Sequence, residues 1–259
     1  EMSASLVGSE MCIRDRCGIV TLCWHWCPAA RYDKSKSDPW GTFYTDKTKF
    51  NLARAMNGRD PDGYQMLLDD IDAIAVQLKR LQDADVPVLW RPLHEASGGW
   101  FWWGASGADA YLQLYKLMYD RLTNVHGLNN LIWVWNGQDA AWYPGDEYVD
   151  IIGEDIYPGK HVYTSQAARF IKALSYTDTR KLITLSENGC IPDPEQLVRD
   201  NIMWSYWCVW EGEFVLKAAG FNNYSEQYTE KNMLKKAYKS DTVITRKELP
   251  DLRNYPLGD

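Results

Sequence analysis

Six short runs rich in β-branched and aromatic residues recur along this chain: Ile19–His25, Val86–Glu95, Leu131–Asn136, Asp150–Tyr157, Leu182–Glu187 and Ile202–Trp210. Most are apolar at nearly every position rather than at alternate ones. A strand buried on both faces requires that, and parallel sheets covered by helices are where such strands occur. Between several of the runs the period becomes helical. Leu67, Ile71, Ile74, Leu78 and Leu81 follow one another at steps of four and three, forming one apolar stripe ahead of the second run. Asp60-Pro61 supplies a cap and a first-turn proline for that helix. Ser106 with Asp109 reads as a capping box opening another helix, which runs to about Arg121. Strands alternating with helices predict a parallel α/β architecture.

At 259 residues, one α/β barrel domain is the natural size class. A (β/α)8 (TIM) barrel closes with eight strands, and six are found. Nothing before Cys17 has room for two more units. The expectation is therefore a barrel occupying residues 17–259 that lacks its first two βα units, roughly 60 residues at the usual unit size. Strands hidden inside the polar stretch Asp33–Gly63 are the alternative. Residues 1–16 show neither a helical nor a strand period, and lack the basic start and apolar core of a signal peptide. They resemble translated adapter read-through and are set aside as a non-native tail.

Two of the runs end in glutamate, Glu95 and Glu187, 92 residues apart. Three βα units of roughly 31 residues span that distance, and carboxylates at the C-terminal tips of barrel strands are where such folds keep their chemistry. The chain also holds 13 Trp and 16 Tyr. Core packing accounts for many aromatics. It does not account for Trp100-Phe101-Trp102-Trp103 directly after Gly98-Gly99, a loop cluster suited to stacking on flat sugar faces. Two carboxylates among tryptophans are what cleavage of a glycosidic bond requires.

A net charge of −7 and a pI near 5.2 argue against nucleic acid or an anionic membrane as partner. No apolar run approaches the roughly 18 residues of a membrane span. The six cysteines (Cys12, Cys17, Cys23, Cys27, Cys190 and Cys208) show no metal-ligand spacing. Buried thiols are the simpler expectation, with a Cys23–Cys27 disulfide left open.

Arg91-Pro92-Leu93-His94-Glu95 followed by Gly98-Gly99-Trp100-Phe101-Trp102-Trp103-Gly104 resembles the acid/base segment of glycoside hydrolase family 26. Members are chiefly endo-β-1,4-mannanases of the retaining barrel glycosidase clan. Ser186-Glu187-Asn188-Gly189 is similar to the family's nucleophile segment, and Trp24-His25-Trp26 to its third-strand motif. The likeness runs from about Cys17 to past Phe214. It implies Glu95 as general acid/base and Glu187 as nucleophile, with the carboxyls about 5–5.5 Å apart as in retaining enzymes.

It further implies that Arg91 holds Glu187 ionised. Period-2 alternation along one strand would turn Arg91 and Glu95 the same way. His25 and His94 become sugar ligands near the −1 position, although alternation alone would point His94 away. Tyr157 would hydrogen-bond the nucleophile. Trp210, with Trp207 as the competing choice, would lie under the −1 sugar. Trp100 would be the +1 aromatic, with Trp102 and Trp103 packed behind it. Glu154, Asp155, Glu211 and Glu213 read as rim or substrate-contact groups. Ser97 stands where the family often has Asn, which bears on the distal sites alone.

The resemblance thus implies a secreted, monomeric enzyme acting on β-mannan or a related polysaccharide, with no cofactor and no metal. Two alternatives stay open: the same mechanism on β-glucan or xylan, and an incomplete barrel that binds sugar without turning it over or is inactive.

Overall fold

The computed structural model describes residues 18–28, 41–217 and 223–251, which fall into two compact units, one ending at Ile151 and the other beginning at Ile152. Residues 1–16, together with Cys12 and Cys17, lie outside the described residues.

In the first unit, β1 (Val20–Cys23), β2 (Val88–Arg91) and β3 (Leu131–Trp135) lie side by side in that order. Both pairings are parallel, with Val20 opposite Val88 and Val88 opposite Leu131. All four residues of β2 are buried, as its unbroken apolarity requires. Among the described residues, three α-helices accompany these strands: α1 (Leu52–Met56), α2 (Pro61–Asp83) and α3 (Ala108–Asp120).

Helix α2 forms as its sequence dictates. Asp60 Oδ1 accepts from the Gly63 N–H at 2.9 Å, and Pro61 occupies the first turn. Leu67, Ile71, Ile74, Leu78 and Leu81 are all buried, each contributing about 1.5–3 kcal/mol of apolar transfer. Its polar side is tied down as well. Trp26 donates its indole N–H to Asp70 at 2.8 Å. Arg121, opening a π-helical turn after α3, grips Asp72 through Nε at 2.9 Å and Nη2 at 2.6 Å, and His126 Nε2 meets the same carboxylate at 2.7 Å. The Arg121 hydrogen bonds hold the Asp72 carboxyl below its usual range.

One expectation for this unit is corrected, and two alternatives that the sequence left open gain no support among the described residues. Helix α3 is capped by Gly107 rather than by a Ser106–Asp109 box; Ser106 Oγ accepts from the Ala53 N–H at 3.3 Å, so that hydroxyl serves α1 instead. Among the described residues of Asp33–Gly63 there is no strand, only a 3-10 turn (Thr45–Lys47), α1, the first residues of α2 and an isolated bridge from Tyr44 to Phe101. Cys23 and Cys27 are thiols rather than a disulfide, as are Cys190 and Cys208.

In the second unit, β4 (Ile151–Ile156, whose first residue closes the other unit), β5 (Leu182–Asn188) and β6 (Trp207–Val209) lie in sequence order, with β5 and β6 parallel. The helices are α4 (Ala167–Leu174), α5 (Pro194–Asp200) and α6 (Lys231–Tyr238). Strand β6 is much shorter than Ile202–Trp210. Asn201 turns left-handed (φ 56°) and the Ile202 N–H returns to Leu197 O at 2.9 Å, so the start of that apolar run closes α5. No helix among the described residues is long and apolar enough to cross a membrane.

Candidate active site

Strand β2 ends at Arg91, and the four residues to Glu95 leave strand geometry. Leu93 and Glu95 both have positive φ, 53° and 54°. Glu95 sits in the left-handed region at the head of a 3-10 turn, Ala96–Gly98. Bulky residues reach that region at a cost of about 1–2 kcal/mol, and such strain gathers at functional sites. Here it is held by the Glu95 N–H, which donates to Asn136 O at 2.7 Å just beyond β3. The alternation argument linking Arg91, His94 and Glu95 therefore fails, because Glu95 and His94 lie past the end of the strand.

Arg91 is buried and donates Nη1–H to Asn136 Oδ1 at 2.7 Å. Asn136 thus serves both residues, with its side chain on Arg91 and its carbonyl on Glu95. His94 is buried, and its Nδ1 has no hydrogen-bond partner among the described residues. Burial first, then the charges of Arg91 and His25, push its pKa well below the ordinary histidine value, so the ring is neutral. His25 is half-buried and stands edge-on to His94 at 4.9 Å and to Phe101 at 6.1 Å. Trp24 stacks on Trp26 at 4.2 Å.

The aromatic loop divides by position. Trp102 and Trp103 are buried, their indole N–H groups donating to Trp26 O at 2.6 Å and His94 O at 2.8 Å. Trp100 is 46% exposed and donates its N–H to Glu95 Oε2 at 3.0 Å. Segment 41–47 is strapped along this loop: the Thr45 N–H donates to Trp100 O at 2.8 Å, Thr45 Oγ1 to Gly99 O at 2.9 Å, and the Trp102 N–H to Phe43 O at 3.1 Å. Ser97 is exposed on the 3-10 turn.

In the second unit, Glu187 lies near the end of β5, 4% exposed. Tyr157, just past β4, donates its hydroxyl to Glu187 Oε2 at 2.7 Å. Beside them Ser186 Oγ donates to Asp155 Oδ1 at 2.7 Å. Trp207 begins β6 opposite Leu185, whereas Trp210 follows the strand and donates its backbone N–H to Asn188 O at 3.0 Å. Trp210 therefore lies past the end of β6, and Trp207 at its start. Glu211 and Glu213 are exposed, and Glu213 accepts from Tyr228 Oη at 3.0 Å.

Glu154 is not a rim residue. Its side chain is fully buried, paired with the Arg169 guanidinium (Nε at 2.9 Å) and accepting from Tyr176 Oη at 3.0 Å. A buried carboxylate needs such neutralising partners. Within either unit taken alone, no three His, Cys, Asp or Glu side chains among the described residues converge as a metal site would require.

Asn136 was not singled out in the sequence. Asn136 carried a usable signal, being the first polar residue after the apolar β3, the same strand-end position that drew notice to the glutamates.

Residues 1–248 match the model of glycosyl hydrolase family 26. The chain belongs to glycosyl hydrolase family 26. A relative named mannan endo-1,4-β-mannosidase, from Thermothelomyces thermophilus, is 46% identical over 236 residues, covering 91% of this chain and 47% of its own length. Another of that name ending in A, from a Piromyces species, is 38% identical over 233 residues, 90% of this chain and 35% of its own. Among solved structures, the Podospora anserina GH26-CBM35 β-(1,4)-mannanase aligns with a TM-score of 0.86 at 38% identity, over 97% of this chain and 55% of that one. A β-mannanase from a symbiotic protist of the termite Reticulitermes speratus, complexed with a gluco-manno-oligosaccharide, aligns with a TM-score of 0.81 at 36% identity, over 95% and 72%. Fold class follows from membership: the strands and helices are those of the family 26 TIM-barrel glycosidase fold. The chain spans 47% and 35% of the lengths of these two curated relatives.

Proposed function

We propose that this chain carries the catalytic machinery of a retaining endo-β-1,4-mannanase, with Glu95 as general acid/base and Glu187 as nucleophile. The observation that carries the reading is Glu187 itself, a buried carboxylate at a strand end with one oxygen fixed by the Tyr157 hydroxyl. A buried, oriented carboxylate suits a nucleophile. The other carboxyl, next to the half-exposed Trp100, suits a group that exchanges protons with leaving group and water.

The chemistry has two displacements. The Glu187 carboxylate attacks the anomeric carbon of the −1 mannose while Glu95 gives its proton to the departing glycosidic oxygen. Glu95, now ionised, takes a proton from water, whose oxygen attacks the same carbon and releases Glu187. Two inversions leave the β configuration unchanged. No metal or cofactor enters these steps. Arg91, held by Asn136, belongs to the substrate-binding set; His25 and His94 contact the −1 sugar, Trp210 lies beneath it, and Trp100 receives the +1 sugar. The neutral state of His94 fits it to hydroxyl recognition, since one ring nitrogen accepts where the other donates.

The substrate we assign is β-mannan, on the strength of relatives named mannan endo-1,4-β-mannosidase. Placement outside the cell follows from the size of such a polymer, and the negative net charge disfavours nucleic acid and anionic membrane as partners.

Reducing-sugar release by the 259-residue chain from galactomannan, mixed-linkage β-glucan and xylan, with NMR of the first-formed anomer, tests this. Mannan should be cleaved fastest, giving the β anomer. Faster release from glucan or xylan would transfer the mechanism to that polymer. A cooperatively folded chain that binds but cleaves none would leave a sugar-binding module.

A further inference from the structure

Tyr157 presents a problem of support. Its hydroxyl holds Glu187, yet the residue is 42% exposed and sits just beyond the end of β4. A phenol on two rotatable bonds holds a carboxylate in place only if its ring is braced, and the bracing comes from elsewhere in the same unit. After β6, Gly212 turns with φ +61° into a 3-10 turn that ends at Phe214. The Phe214 ring lies 5.3 Å from that of Tyr157, tilted at 55°, and 4.2 Å from that of Tyr228 on its other side. Tyr228 is itself anchored. Its hydroxyl donates to Glu213 at 3.0 Å, and its backbone carbonyl accepts from the His161 N–H at 2.9 Å. Beneath both rings is Gly189. A Cβ there would stand 3.1 Å from Phe214 Cε1 and 3.2 Å from Tyr157 Cδ1, so the absence of a side chain is what lets both rings settle against the β5 end.

We infer that Phe214 is a positioning residue for the nucleophile, acting through the ring of Tyr157. The inference rests on Glu187 having the role given above. Phe214 and the bare backbone of Gly189 form a slot that confines the Tyr157 ring to the orientation in which its hydroxyl reaches Glu187 Oε2. Fixing that oxygen sets the direction in which the carboxylate faces. When the ring is released, the phenol swings toward solvent and the carboxylate loses its aim, although every group that touches sugar is still present.

The test is a mutant cycle, F214A, F214L and F214Y made alone and on the Y157F background, with kcat and KM measured on a manno-oligosaccharide. F214A should lower kcat about tenfold to a hundredfold, the scale of a small misplacement of reacting groups, with KM changed less than about twofold. F214L keeps apolar bulk and guards against simple misfolding, and F214Y should restore most of kcat. On the Y157F background, where no hydroxyl remains to be aimed, F214A should cost less than about twofold more, the non-additivity expected of residues acting in series.

Equal losses in both backgrounds, or a change confined to KM, would overturn the proposal. A second measurement needs no turnover. With tyrosine labelled at Cζ, the Tyr157 resonance, assigned by its absence in Y157F, should move toward the solvent-exposed position in F214A and stay in place in F214Y. An unmoved resonance in F214A also overturns it. Failure of the functional reading is seen separately, as no sugar release by the unmutated chain.

Discussion

Trp100 donates its indole N–H to Glu95 Oε2 across 3.0 Å, and the backbone on either side exists to allow it. The indole folds back over Gly98, where a Cβ would lie 2.0 Å from the ring. Gly99 continues with φ +71°, and Thr45 clamps the peptides on both sides. The Gly-Gly pair is therefore a device that returns a tryptophan onto the carboxyl five residues behind it.

That geometry separates two uses of Trp100. Trp100→Phe keeps a stacking ring and removes the donor, whereas Trp100→Ala removes both. A hydrogen bond to a charged group contributes about 1.5–3 kcal/mol when buried, and this one is half-exposed. Trp100→Phe should therefore lower kcat by about tenfold at most with little change in KM, and Trp100→Ala should raise KM as well. Equal KM values for the two variants would remove stacking from the account.

The assigned roles of the two carboxyls differ in how they depend on the leaving group. Glu95→Ala deletes proton donation, which contributes about 10²–10⁴-fold. The loss should be large on mannan, whose alkoxide leaving group needs that proton. In the glycosylation step it should be small for an aryl mannoside whose phenolate leaves unaided. Glu187→Ala should abolish turnover of both substrates. Steady-state and burst kinetics on the two substrates check this, and a Glu95→Ala variant equally impaired on both would contradict the assignment.

How far the sequence carried the site depends on whether a residue's role is local. The stripe of α2 and its Asp60 cap were legible because period and capping are properties of neighbouring residues, and the strand-end glutamates stood out against apolar runs. Along the chain Glu154 read as a rim or substrate-contact group. What sets it apart is Arg169 and Tyr176, placed against it by α4 and the turn after it. Ser106 failed as a cap because α1 claimed its hydroxyl, and the left-handed turn at Glu95 depends on a carbonyl 41 residues away in sequence, that of Asn136. Residues 202–206 are apolar enough for a strand, yet Ile202 is occupied with closing α5.

Glu154 gives a prediction about stability rather than catalysis. Arg169→Ala would leave a fully buried carboxylate with one phenol and no cation. Breaking a buried pair costs about 3–5 kcal/mol. Because Arg169 is partly exposed, the expected loss is about 3 kcal/mol, the low end of that range. It should appear as a lower denaturation midpoint at unchanged slope, with KM of the folded protein unaltered. A raised KM at unchanged stability would return Glu154 to the substrate-contact role.

His94 makes stability depend on pH in a direction that can be worked out. Its folded pKa lies well below the ordinary histidine value of about 6.5, chiefly because burial disfavours the imidazolium. Below pH 6.5 the unfolded chain binds a proton at this residue that the native state refuses. The unfolded state then holds more protons, and stability falls as pH falls. The contribution is complete above pH 6.5 and is lost progressively below it, toward the depressed folded value. His94→Gln removes the titration while keeping a polar side chain of similar length. Urea denaturation from pH 7.5 to 5 should show the unmutated protein losing stability more steeply than His94→Gln, with the two curves parallel above pH 7. Parallel curves throughout would mean that His94 takes up its proton in the folded site as readily as in water, and the neutral ring assigned to sugar recognition would go with it.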